Sequence, residues 1–584
     1  MAVGLISWGR FLNATGERVT VPAPSTDPGK PWLWDFLRAE AGAIGSFFDL
    51  VQLPPWSLAQ GGTGSGCDGY GIFQRRNLNG TRYGSLESLM AAIAALNANG
   101  CQTYGDLVLH QMIGENGGPG VFRYPGADGK TMNGRGQTTP GWFRGGMKQN
   151  DPIPPFCRED DVPVPADDFP FGRELSYQHC NPAHVTENDA KDYLVWAHAR
   201  TAATGFRFDD TKGTYAPSVR GIMDALPNAV FYSEYFDGNP ANLNWWATSS
   251  PMKGRSAVED FTLHFGLQAA CNGFDATQLD TGYWQWNSGL SVGFVDNPDT
   301  DTSPGQQVIF NKGLAYAYLL SLPLRLALIY GKDYFSSAVW PGAYGLKPLI
   351  DNLCWISRTF AFGAYEVRWV DRDVHVASRD GNGGAVGWSG GLLTALNFNV
   401  LAPRTITCST PFGPNRWLHD YTGHHPDIWT DGNGNATFTI PSNAFSSGES
   451  YLCFAPGGVN HPVAQTPHST TQTFFAAADL DVMPASNTSQ RLPQRIYCAK
   501  DSKISLKLSA HLPATATLLA TVTSPSGETI SSQRIGTGAI GAGPEESFGK
   551  TAAEGWHTIF VEGSGLPATG LDYELAVTYS GVRG

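Results

Sequence analysis

The chain has no CxxC pair. Its nine cysteines stand singly at 67, 101, 157, 180, 271, 354, 408, 453 and 498, a spacing that disfavours a clustered zinc site. The odd count leaves at least one thiol outside any intrachain bridge, and mostly buried thiols are the ordinary expectation. Charge is scarce too. Asp, Glu, Lys and Arg make up 16% of residues, and Lys+Arg 39 against Asp+Glu 52 gives a net charge of −13. Binding a phosphate backbone needs clustered cations, so no nucleic-acid partner is expected. No long apolar run is unbroken. The most apolar stretch, 313–331, carries Pro323 and Arg325 and reads as a buried helix entering a buried strand, so no membrane partner is expected. The opening MAVGLISWGRFLN lacks a basic region followed by a long apolar one and is not an intact secretory signal. What is abundant is apolar and aromatic: hydrophobic residues are 41%, with Trp 17, Tyr 21 and Gly 69 in 584 residues. That length fits three or four domains at about 150 residues each.

Over the first 365 residues, short β-like runs alternate with helical segments, the pattern of a parallel α/β fold. The strands expected are Val3–Gly9, Phe47–Pro55, Gln102–His110, Gly205–Thr211, Ala229–Glu234, Ala257–Thr262, Val292–Asn297 and Leu324–Tyr330. Eight such runs fit a closed (β/α)8 TIM barrel built from 1–111 and 186–365. Ser85 suits the cap of one helix, Leu86, Leu89, Ile93 and Leu96 recur at helical spacing, and Gly100 stops it. Residues 112–185, rich in Gly, Pro and Asp, interrupt the pattern after the third strand as an inserted loop-rich domain. Such an insertion rises from the C-terminal face, where barrels carry their active sites. From about 366 the helical period fades into an all-β domain, 366–456, with Val367–Ala377 and Leu392–Val400 as strands. A linker, 457–472, precedes a further β-sandwich, 473–584, in which Ile504/Leu506/Leu508, Trp556/Thr558/Phe560 and Tyr573/Leu575/Val577/Tyr579 alternate. This last domain is a candidate carbohydrate-binding module.

Three acids stand where barrel strands should end: Asp209 in GFRFDDTKG, Glu234 in FYSEYFDG and Asp299 in GFVDNPDTD. Arg207 lies two residues before Asp209 on the same strand face. A cation beside one carboxyl and a second carboxyl nearby is what glycoside hydrolysis with retention requires.

These segments are similar to the α-amylase family, glycoside hydrolase family thirteen. DLVLHQ (106–111) resembles its first conserved region, usually DxVxNH; LSYQHCNPAHV (175–185) resembles the region closing the inserted domain; GFRFDDTKG resembles GFRxDxxKH; YSEYF resembles the segment carrying the acid; and FVDNPD resembles FVDNHD. The motifs come in family order, and SFFDLVQLPP, GCDGYGIFQ and DGNGNATFTIP…SYLCFAP extend the likeness over roughly 1–456. The resemblance implies Asp209 as nucleophile, Glu234 as general acid/base and Asp299 as the acid holding sugar hydroxyls in the transition state. It implies Arg207 orienting Asp209 and keeping it ionised, Tyr70 stacking on the sugar at the cleavage point, Gln111 donating to that sugar, and Lys212 on the leaving-group side.

Four positions depart from the pattern. Gln111, Gly213 and Pro298 stand where the family usually has histidine, and His110 replaces an Asn that in many relatives binds calcium. The resemblance leaves calcium as a possible cofactor, with Glu174 matching the usual Asp and the Gly213 carbonyl retained, and Asp160, Asp161, Asp167 and Asp168 of the insertion could bind an ion elsewhere. The function expected is a retaining α-glycoside hydrolase acting on α-1,4-linked glucans or maltooligosaccharides. The alternatives are an α-glucan transglycosylase of the same family, or a non-catalytic carbohydrate-binding barrel. No organic cofactor is implied. The chain is expected to be a monomer that meets its α-glucan substrate as a secreted or periplasmic protein.

Overall fold

Val3, Leu5, Val51, Leu53, Leu107, Phe206, Phe231, Val258, Val292, Phe294 and Leu328 are all buried and sit in eight short strands. Runs of this kind, apolar on both faces, form the inner sheet of a barrel wrapped by helices. The computed structural model describes residues 1–12, 18–21, 33–59, 68–78, 81–112, 173–175, 177, 185–249, 251–336, 340, 343–381, 391–443, 448, 450–459, 468–476, 492–498, 503–510, 516–524, 526–535, 541–550, 555–565 and 573–581. Most of the expected insertion therefore lies outside the described residues, with Cys67, Cys157, Cys180, Asp160, Asp161, Asp167 and Asp168.

The barrel strands are β1 (Ala2–Ile6), β2 (Leu50–Leu53), β3 (Gln102–Leu107), β4 (Gly205–Phe208), β5 (Val230–Ser233), β6 (Ala257–Glu259), β7 (Ser291–Phe294) and β8 (Leu326–Tyr330). They close in sequence order by hydrogen bonds, β8 returning parallel to β1. Each expected run overlaps one of them, but several expectations ran too far. Asp209 directly follows β4, Glu234 directly follows β5, and Asp299 lies on the loop after β7. The polar residues after each strand leave the sheet.

Two compact units divide the chain, Met1–Val21 with Tyr235–Ala464 and Pro22–Glu234 with Gln465–Gly584. The second holds β2–β5. Its helix Leu86–Ala98 starts where Ser85 Oγ accepts from Ser88 N–H at 3.2 Å and buries Leu89, Ile93 and Leu96. Gly100, at φ +73°, takes the left-handed turn that ends it.

The same unit contains the C-terminal sandwich. One of its sheets has His468–Ala476, Tyr573–Gly581, Lys503–Ala510 and Gly541–Lys550 side by side; the other has Leu492–Cys498, Gly555–Ser564, Thr517–Thr523 and Thr529–Ile535. Ile504, Leu506 and Leu508 are buried as their alternation predicts. In the strand Gly555–Ser564 the buried residues are His557, Ile559 and Val561; the side chains of Trp556, Thr558 and Phe560 lie outside the described residues. The first strand begins at His468, inside the segment read as linker. HSTTQ has no apolar alternation, but its threonines are β-branched and fit an extended backbone.

The first unit holds β1 and β6–β8. The apolar stretch resolves into a fully buried helix, Lys312–Leu319, followed by β8. Among the described residues no helix is long and apolar enough to cross a membrane. The all-β domain follows, with β9 (Tyr365–Val370), β10 (Val374–Arg379), β11 (Leu392–Asn397), β12 (Arg404–Ser409), β13 (Trp417–Asp420), β14 (Ile428–Trp429), β15 (Asn435–Ile440) and β16 (Tyr451–Pro456). Six form one sheet in the order β9-β10-β11-β16-β13-β14, and β12 pairs with β15. Val376, Leu393, Leu418, Phe438 and Phe454 fill the core. Val367–Ala377, expected as one strand, is a hairpin. Asp371 turns it by accepting from the N–H groups of Asp373 and Val374.

The domain is fastened to its unit's helices through Asp280, which accepts from Tyr318 and Tyr365 hydroxyls at 2.9 and 2.7 Å and pairs with His375 at 2.6 Å. Cys101, Cys271, Cys354, Cys408 and Cys453 are all buried.

Candidate active site

The parallel register of β3 and β4 places Asp106 directly beside Arg207. Both are buried, so each needs the other. Arg207 Nη1 donates to both Asp106 carboxylate oxygens at 2.9 Å and to Asp209 Oδ1 at 3.0 Å, while Nη2 meets Glu234 Oε2 at 2.9 Å. One guanidinium thus gathers three carboxyls from the ends of three adjacent strands. The backbone fixes two of them. Asp209 N–H donates to Leu107 O at 3.0 Å, and Glu234 N–H to Phe208 O at 2.9 Å. Asp210, at φ +38°, points its N–H at Glu234 Oε2, 3.0 Å away. Thr211 donates from both N–H and Oγ1 to Glu234 O.

Asp106 also accepts from the Tyr70 hydroxyl at 2.7 Å and from Gln52 Nε2 at 3.2 Å, and Gln52 Oε1 accepts from the Tyr232 hydroxyl. Gln111 is tied in through Nε2 to Tyr70 O at 3.4 Å. Arg207, Asp209, Glu234, Tyr70 and Gln111 are therefore brought together. Lys212 is half-buried in the turn after β4.

A single cation faces three acids, and the electrostatics follow. Burial, then repulsion from Glu234, pushes the Asp209 carboxyl well above the usual carboxylate range, and Arg207 only partly opposes this. Burial likewise raises Asp106 against the pull of Arg207. Arg207 was expected to hold Asp209 ionised, but its attraction is divided among Asp106, Asp209 and Glu234. Asp106 and Asp209 both hold protons more readily than ordinary carboxyls, for the same reason of burial.

Asp299 belongs to the other unit, on the loop after β7. Asn297 Oδ1 accepts from the N–H groups of Asp299 and Thr300, both at 2.9 Å. A buried ion network underlies this loop: Lys312 Nζ reaches Asp296 Oδ2 at 2.7 Å and Asp333 Oδ1 at 2.8 Å, and Lys332 Nζ reaches Asp301 Oδ2 at 2.5 Å. His264 supports its start, its Nδ1–H donating to Val295 O at 2.6 Å with the ring stacked on Phe294.

Comparison with known proteins gives the same reading. No family model matches the chain. A glucan 1,4-α-maltotetraohydrolase from Stutzerimonas stutzeri is 28% identical over 328 residues, 50% of this chain and 53% of that protein. An α-amylase from Geobacillus stearothermophilus is 24% identical over 479 residues, 72% of this chain and 82% of that one. A cytoplasmic α-amylase from Escherichia coli (strain K12) is 22% identical over 471 residues, 70% and 93%. The chain spans about half the length of the first of these relatives and most of the other two. Among solved structures, the α-amylase of Geobacillus thermoleovorans complexed with acarbose has a TM-score of 0.55 at 14% identity, covering 79% of this chain and 98% of that one. An α-amylase from Malbranchea cinnamomea has 0.55 at 15%, covering 78% and 95%. The chain is similar to α-amylases and maltooligosaccharide-forming hydrolases in sequence and shares the α-amylase fold.

Two of the departures from the α-amylase pattern lie together in space. The His110 Nδ1–H points at Gln111 Oε1, 2.7 Å away, and at Asp210 Oδ2, 3.1 Å away. A Cβ built on Gly213 would lie 2.8 Å from His110 Nε2 and 2.9 Å from Asp210 Oδ2. The His110 ring and the Asp210 carboxyl take up the space that a side chain at 213 would enter, and glycine leaves that space to them.

This arrangement does not fit the calcium set of Glu174 and Gly213. An imidazole stands where that site needs an oxygen donor, and a hard ion prefers oxygen. Gln111 and Glu174 pair as a short antiparallel ladder, but the Glu174 side chain lies outside the described residues. Among the described residues no group of three or more His, Cys, Asp and Glu could hold a metal.

Sequence reading missed Asp106, the innermost member of the cluster. It opens the DLVLHQ motif, and its signal was the β3–β4 register rather than the motif itself.

His264 gives a pH test of the Asp299 loop. Burial lowers its pKa from 6.5 to about 4. Between those values the unfolded chain binds the proton and the fold does not. The stability tied to its neutral form is therefore full above about pH 6.5 and is lost as pH falls toward 4, by about 3 kcal/mol. Asp296 and Asp301, pushed up to about 6 by burial, slope the other way. Comparing parent with His264→Gln cancels them. In urea melts the parent's advantage over the variant is expected to shrink by about that amount between pH 7.5 and pH 4.5.

Proposed function

We propose that this chain is a retaining α-glycoside hydrolase acting on α-1,4-linked glucans or maltooligosaccharides. The observation that carries the reading is the Arg207 bridge, whose two arms hold Asp209 at 3.0 Å and Glu234 at 2.9 Å. Inverting enzymes keep their two carboxyls far enough apart for a water, about 6.5–9.5 Å; retaining ones bring them to about 5 Å. A pair on one guanidinium supports the second kind.

In the first step Glu234 gives its proton to the glycosidic oxygen while Asp209 attacks the anomeric carbon, forming a covalent glycosyl-enzyme. Arg207 and the Asp210 N–H both address Glu234 Oε2, which directs the proton to Oε1. In the second step Glu234, now ionised, takes a proton from water as the water attacks the same carbon, and Asp209 leaves. Tyr70, anchored through its hydroxyl to Asp106, presents its ring to the sugar. Gln111 and Asp299 hold hydroxyls, and Lys212 addresses the leaving group. No step is routed through calcium. A polymer-sized substrate supports a secreted or periplasmic location.

The test is the configuration of the product. Proton NMR during hydrolysis of a maltooligosaccharide is expected to show the α-anomer first, with the β-anomer appearing only by mutarotation. Initial release of the β-anomer would refute retention, and no release of reducing sugar from any α-glucan would refute the hydrolase reading.

A further inference from the structure

The all-β domain leaves two large aromatic rings in water side by side. Trp417 on β13 pairs directly with Trp429 on β14, and their side chains are 42% and 66% exposed. The Thr430 N–H donates to Arg416 O, which makes Trp417–Trp429 the adjacent non-hydrogen-bonded pair, the kind with the closest side chains. The strand period puts His419 and Asp427 on the same face, while Leu418 and Ile428 turn into the core.

The four residues form one built patch. Asp427 accepts from Trp417 Nε1 at 2.8 Å through one oxygen and from His419 Nδ1 at 2.6 Å through the other. These bonds hold its carboxyl below the usual range. Gly457 runs against the Trp417 ring, so close that a Cβ there would lie 2.7 Å from it. The indole is therefore fixed in plane, with a carboxylate at its edge.

We propose that Trp417 and Trp429, with Asp427 and His419 at their edge, form a second saccharide-binding platform that takes neighbouring glucose units of an α-glucan chain, remote in sequence from the catalytic cluster. Flat, pre-oriented indoles bind the apolar faces of sugar rings, and an ionised carboxylate accepts from their hydroxyls. That carboxylate, on a chain of net charge −13, disfavours nucleic acid and anionic lipid as occupants. The choice of α-glucan among neutral saccharides rests on the proposed catalytic reading; the platform itself does not.

The test uses the full chain, with Trp429→Ala, Trp417→Phe and Trp417→Ala/Trp429→Ala compared with parent. The readouts are retention on insoluble starch and tryptophan-fluorescence change with maltoheptaose. Turnover of maltotriose reports the catalytic cluster separately. The expected result is retention about tenfold weaker in the double variant, a clear loss in Trp429→Ala, near-parent retention in Trp417→Phe, and maltotriose turnover within about twofold of parent. Trp429 is the more exposed ring, so its single variant keeps the test valid if the double variant fails to fold. Parent-like retention in Trp429→Ala and the double variant would overturn the proposal. So would a parent dimer, seen by light scattering, that these substitutions convert to monomer, because the patch would then be a protein interface. If the parent cleaves no α-glucan yet is retained through these tryptophans on xylan or cellulose, the catalytic reading fails and the platform stands.

Discussion

Glu234→Gln is expected to cut turnover of a maltooligosaccharide by about 10²–10⁴-fold while the fold survives, because the variant loses its general acid and base but keeps its shape. Stability should not fall with it. Three acids surround one guanidinium, so removing a carboxyl relieves repulsion at Asp209. The loss should depend on the leaving group. A glycosyl fluoride needs no proton to depart, so on it the variant should form the glycosyl-enzyme at near-parent rate and then stall, lacking the base for the second step. Asp209→Asn should fail on both substrates, since nothing remains to attack carbon. Comparing kcat/KM on the two substrates separates the roles. Glu234→Gln turning over the unactivated substrate within about tenfold of parent would contradict the assignment.

Arg207→Met should unsettle both the fold and the chemistry. The side chain is 4% exposed and touches Asp106, Asp209 and Glu234. Removing the cation leaves those carboxyls buried without it, a situation that costs about 3–5 kcal/mol. The cost should depend on pH. Asp106 and Asp209 already bind protons more readily than ordinary carboxyls, and without Arg207 they bind them more readily still. The deficit should therefore grow as pH rises and shrink in acid, where protonated acids no longer need the cation. Urea melts at pH 5 and 7.5 would show it. Arg207→Lys restores charge but not the two-armed reach of Nη1 and Nη2, so stability should recover more than turnover. A variant Arg207→Met within about 1 kcal/mol of parent at pH 7.5 would show the pairing to be no stronger than a surface one.

Much of the barrel was legible because its strands are short, apolar and separated by polar punctuation. Asp209 and Glu234 were legible because each directly follows such a run. Asp106 was not, because its role depends on which strand lies beside β3, and that register is a property of the closed sheet. The hairpin at Asp371 was hidden because only three polar residues, Asp371, Arg372 and Asp373, separate its two apolar arms, and no glycine or proline marks the turn. The sandwich's first strand was hidden by the opposite problem, since threonines and serines form a strand without marking its buried face. The meaning of His110 and Gly213 was hidden by their separation of about a hundred residues. Each looked like a lost family residue, and only their contact shows that one accommodates the other.

That closeness constrains engineering. A chain bearing an imidazole at 213 together with the one at 110 would press two rings into a space sized for one. Anyone wishing to return the relatives' histidine to this loop must first shorten the side chain on the neighbouring strand end.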